Sequence, residues 1–91
     1  RTDSAFLCPG AFAPERGFMT DYQSMAQLKH EMLHAAGRRY CLIDASKVGA
    51  GGLMRFAGPD DFEAIVMDRD PDGIVAGQTE GLGVRLVLAQ A

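Results

Sequence analysis

The chain has 91 residues, a net charge of −3 and a pI near 5.2. These values allow one domain with a modest core and exclude a broad basic face of the kind that grips nucleic acid through its phosphates. A hydrophobic fraction of 47% excludes a disordered chain. No apolar run approaches the roughly 20 residues that span a bilayer, and no signal peptide is visible, so no membrane partner is expected. The chain opens Arg1-Thr2-Asp3 without a methionine and turns apolar almost at once. Residues 1–91 therefore read as a single-domain fragment of a longer polypeptide.

Ala5-Phe6-Leu7-Cys8 reads as a short buried strand stopped by Pro9-Gly10. Ala11 to Thr20 reads as a loop carrying Pro14, Glu15, Arg16 and Gly17. A helix follows, with Thr20 as the expected N-cap and Gln23 at capping-box spacing. It runs to about Ala36 and ends at Gly37 as a left-handed terminal residue, with Arg38 and Arg39 near the negative end of the dipole. At about 100° per residue, Tyr22, Met25, Ala26, Leu28, Met32, Leu33, Ala35 and Ala36 share one broad face. Gln23, Gln27, His30, Glu31 and His34 share the other. Lys29 falls on the apolar side, which leaves two readings. Either its stem lies along the core edge with the ammonium in water, or the cation is aimed into a pocket or an interface.

Tyr40-Cys41-Leu42-Ile43 is the apolar run of a buried parallel strand, and the next four residues, Asp44-Ala45-Ser46-Lys47, are polar or small. In an open α/β sheet, ligands bind at the loops leaving the carboxyl ends of strands. Lys47, one of two lysines in the chain, is there a compact cation suited to phosphate or carboxylate, with the Ser46 hydroxyl beside it. Asp44 either serves that site or caps its own loop by accepting from nearby backbone amides. Val48 to Gly52 reads as a glycine-rich bend and Leu53 to Phe56 as a short strand. Gly58 to Asp61 is a turn that opens a single helical turn. Glu63 to Met67 is a further buried strand ending at Asp68. Pro71-Asp72-Gly73 breaks the chain before a short helix, about Ile74 to Glu80, and Val84 to Leu88 is the last strand. Strands alternating with helices predict an α/β fold with a three-layer, mostly parallel sheet. Cys8 and Cys41 lack CxxC spacing and lie in apolar runs, which predicts two buried free thiols in a reducing cytoplasm.

His30-Glu31-Met32-Leu33-His34 matches the HExxH pattern of zinc hydrolases, in which two histidines share a helix face and the glutamate acts as base. A catalytic zinc needs a third protein ligand, and Tyr40 stands where the longer pattern requires histidine. The chain has no other histidine. No metal and no catalytic residue are therefore expected, and opportunistic metal binding at His30 and His34 is the stronger form of this reading.

The loop Pro14-Glu15-Arg16-Gly17-Phe18, the helix bearing Lys29, and the turn Asp44-Ala45-Ser46-Lys47-Val48-Gly49 together resemble the C-terminal effector-sensing domain of the DeoR/GlpR-type bacterial transcription regulators. Phe62 to Asp68 and Gly83 to Leu88 fit the same family in order and spacing. The resemblance spans nearly the whole chain but only the later part of that sensor domain. It implies a fold like those of sugar-phosphate isomerases and CoA transferases, no cofactor, and a phosphorylated sugar or similar anionic metabolite as effector. It also implies a homo-oligomeric cytoplasmic regulator, often a repressor, that reaches DNA only through a winged helix-turn-helix lying upstream. Carried over by position, Lys47 contacts the effector with Ser46 beside it, Asp44 orients the turn, and Lys29, Thr20 and Arg16 lie near the pocket. Met25, Met19 and Cys8-Pro9-Gly10 depart from the family pattern, and Met25, standing where the family has a glutamate, makes the pocket more apolar. The alternative is a sugar-phosphate isomerase or deaminase of the same fold. An exposed apolar sheet edge near Phe6 is also expected, and with it self-association.

Overall fold

The computed structural model describes residues 2–49 and 54–89. The glycine-rich bend read from Val48 lies, from residue 50 onward, outside the described residues, as does Leu53. In chain order the elements are β1 (Thr2–Leu7), β2 (Ala11–Ala13), β3 (Gly17–Thr20), α1 (Gln23–Ala35), β4 (Ala36–Leu42), β5 (Met54–Ala57), β6 (Ala64–Met67), α2 (Ile74–Thr79) and β7 (Arg85–Leu88). Single 3-10 turns occupy Ala45–Lys47, Pro59–Asp61 and Pro71–Gly73.

The α/β class and the parallel sheet expected from the sequence are what the chain forms. Four strands run in the order β1-β4-β6-β7, and every neighbouring pair is parallel. Crossovers between parallel strands are right-handed. A sheet that adds its strands in one direction therefore carries every connection on the same face. One continuous core results: Leu7, Cys41, Ile65 and Met67 from the sheet, Ala26 and Leu33 from α1, Val75 from α2, and Phe12, Phe18 and Phe56 from the smaller strands. The opposite face carries Phe6 stacked on Tyr40 at 5.0 Å, with Leu42, Val66 and Val87 beside them. Among the described residues, nothing covers this second face. Phe6 is 64% exposed, on the edge strand where the sequence placed an apolar edge.

The segment Ala11 to Thr20 is not a loop but a hairpin. β2 and β3 pair antiparallel, and β5 completes a three-stranded sheet. Phe12 and Phe18 pack at 4.7 Å inside it, and Phe62 meets Phe18 edge-on at 5.3 Å. Gly17 takes φ +87°, and a Cβ there would stand 2.6 Å from the Ala57 carbonyl oxygen, so only glycine fits against β5.

Thr20 does not cap the helix. It is a buried residue of β3, and α1 begins at Gln23 after Tyr22 with no side-chain cap. Gly37 does not end the helix in a left-handed conformation either. Ala36 is already extended and the chain passes directly into β4, so the backbone needs no glycine reversal. The broad apolar face of α1 is only partly used: Ala26 and Leu33 are buried, while Tyr22, Met25, Leu28 and Met32 are exposed. α2 ends at Thr79. Its free amides are met from upstream, where Asp70 accepts from the Val75 and Ala76 N–H groups at 2.9 Å each.

Candidate functional site

The carboxyl ends of β1, β4, β6 and β7 surround a cleft of about 360 Å³ lined by Cys8, Pro9, Leu42, Ile43, Asp44, Lys47, Val66, Met67, Asp68 and Ala89. Its floor is apolar because strands of a parallel sheet are apolar throughout. Its polar groups come from the residues at which each strand gives way to a turn.

After β4 the chain folds into the 3-10 turn Ala45–Lys47. Asp44 caps this turn: its Oδ1 accepts from the Ser46 amide at 2.9 Å and from the Ser46 hydroxyl. The Ser46 hydroxyl, followed by its amide and the charge of Lys47, holds the Asp44 carboxyl below the usual aspartate range. The loop-capping reading of Asp44 is therefore realised in the geometry, and Ser46 spends its hydroxyl proton on that cap. The second Asp44 oxygen accepts no hydrogen bond among the described residues. Lys47 is half-buried at the cleft wall, and its ammonium forms no ion pair among the described residues.

After β6 stands Asp68, a site residue that the sequence reading passed over. Its Oδ1 accepts from the Ala45 amide at 2.8 Å and the Arg69 amide at 2.9 Å, and these two bonds, Ala45 first, lower its pKa. Asp68 thus pins the Asp44 turn to the neighbouring strand. The signal was present in the sequence: both Tyr40–Ile43 and Glu63–Met67 are apolar runs closed by an aspartate, so two adjacent strands end on the same chemistry.

Lys29 reaches the rim. Its ammonium donates to the Cys8 carbonyl at 2.8 Å and sits 5.4 Å from the centre of the Phe56 ring, tying α1 to β1 and β5. Thr20 and Arg16 belong to the β2–β3 hairpin, and neither lines the cleft. Of the residues that depart from the family pattern, Met19 is fully buried beside Ala11 and Ala13, and Met25 faces outward. Cys8 is exposed at the cleft, contrary to the buried thiol expected, because it lies one residue past the end of β1. Cys41 is buried, and both cysteines are free.

Among the described residues, no group of three His, Cys, Asp or Glu side chains is placed to hold a metal ion, and no helix is long and apolar enough to cross a membrane. Comparison with curated proteins gives no match. Comparison with known families matches residues 1–69 to the DeoR C terminal sensor domain, which takes in β1 through β6 and every polar residue of the cleft. The chain belongs to the family of DeoR C-terminal sensor domains.

Proposed function

We propose that this chain is the effector-sensing and oligomerising part of a DeoR-type transcription regulator, and that its effector is a phosphorylated sugar or related anionic metabolite held in the cleft at the carboxyl ends of the parallel strands. The observation that carries the reading is the convergence of Lys47 with Asp44 and Asp68 on one cleft. The ammonium suits the phosphate, and the carboxylate oxygens left over after capping suit sugar hydroxyls as donors. Effector binding would shift the balance of quaternary states and so alter operator affinity through a separate DNA-binding domain in the cytoplasm. On this reading the cleft binds and does not turn over its ligand.

A thermal-shift comparison of the chain and its Lys47→Ala variant with phosphorylated sugars and their unphosphorylated counterparts tests this. At about 100 times its dissociation constant a ligand adds about 2.7 kcal/mol, enough to raise the midpoint by on the order of ten degrees in a domain of this size. The expected result is a shift with a sugar phosphate that Lys47→Ala loses. Equal shifts in both proteins would remove Lys47 from the site.

One observation favours a second reading, a sugar-phosphate isomerase of the same fold: two carboxylates, Asp44 and Asp68, line the cleft, and such chemistry requires a base there, although the hydrogen bonds that lower their pKa values also weaken them as bases. Turnover of a sugar phosphate, abolished by Asp44→Asn, would put this reading first.

A further inference from the structure

We propose that His30 and His34 form a two-histidine chelating site for a borderline divalent cation of the Zn²⁺, Ni²⁺ or Cu²⁺ class, on the outer flank of α1 and apart from the effector cleft. The two residues are one helical turn apart, so their side chains leave the helix one above the other. Their ring centroids are 4.2 Å apart and the planes are tilted by 58°. Metal–imidazole bonds of about 2.0–2.1 Å let one ion bridge a pair of rings at this separation.

The ring chemistry of His30 is already set. Its Nδ1 lies 3.2 Å from the Phe56 carbonyl oxygen, and a carbonyl only accepts, so Nδ1 carries the hydrogen and Nε2 keeps its lone pair. Metal-ligating histidines are characteristically oriented in this way, through the other ring N–H. The anchor is firm because Phe56 is buried in β5. His34 is exposed, so its ring turns to meet the ion without disturbing the core. Lys29 packs over Phe56, and Arg55 lines the groove beside His30. With no third protein ligand among the described residues, water completes the coordination. The site therefore chelates and lacks the enclosure of a hydrolase centre. Occupancy clamps the last turns of α1, whose His30 is tied to β5.

Titration calorimetry with nickel chloride at neutral pH, on the whole chain in a non-chelating buffer, tests the site. The expected result is one Ni²⁺ per chain, with affinity reduced about tenfold or more in His34→Gln and unchanged in Cys8→Ser. His34→Gln is the informative variant, because His30→Gln also disturbs the bond to Phe56. Uptake by His34→Gln equal to wild type would overturn the proposal. So would loss of binding in Cys8→Ser, or no uptake by wild type at about 1 mM Ni²⁺.

Discussion

Asp44 and Asp68 bring the polar wall of the cleft and the stability of the turn behind it onto the same two side chains. Both carboxyls titrate below the ordinary aspartate value of 3.8, because amides and a hydroxyl donate to the ionised form. Stability from such a group is fully present above its unfolded-state value and is lost as pH falls through the folded-state titration. Asp68→Asn should therefore lower stability at neutral pH and flatten the acid side of the stability profile. Urea midpoints measured across the acid range decide this, and an acid limb as steep as wild type's would remove Asp68 from its anchoring role. The two cysteines differ in the same local way. Burial pushes the Cys41 thiol far up, while Cys8 is exposed at the cleft. A thiol-reactive aromatic disulfide should find one fast thiol in the native chain and two in denaturant; two fast native thiols would contradict the burial of Cys41. The Asp44 turn was legible because a run of polar and small residues closing an apolar strand has few other uses. Asp68 was passed over because its role depends on an amide that only strand pairing brings near.

At the scale of elements, the apolar runs at Tyr40, Glu63 and Val84 announced their strands because parallel strands are apolar on both sides. β2 and β3 are three and four residues long, too short for periodicity to register against Pro14 and Gly17. Their burial comes from a partner, β5, far along the chain. Helix α1 shows the converse, since its apolar arc is wider than the core it meets. Leu33 is fully buried and Met32 is 47% exposed. Leu33→Ala should cost about 2–5 kcal/mol, whereas Met32→Ala should stay within about 0.5 kcal/mol. Chemical denaturation of both variants checks the contrast, and similar costs would mean that the outer arc of α1 is covered in solution. Gly17→Ala should destabilise the hairpin through its positive φ and the close Ala57 carbonyl, with a loss larger than the helix variant Met32→Ala shows in the same assay.

For the whole molecule, the decisive feature is a parallel sheet with one face clothed and the other bare among the described residues. Sheets of this kind are ordinarily covered on both sides. Phe6, Tyr40 and Leu42 offer apolar surface of the sort that marks an interaction site. The chain should therefore self-associate as its concentration rises, and Phe6→Ser should weaken that association. Sedimentation measures both, and a monomer at high concentration would count against the surface. The one-directional strand order has a further consequence, in time. Strands leave the ribosome in the sequence in which they dock, so every newcomer meets a finished edge and never has to insert between two older strands. Each docking still waits for a full crossover to emerge, so these four strands should assemble in steps paced by translation, with β7 the last of them to dock.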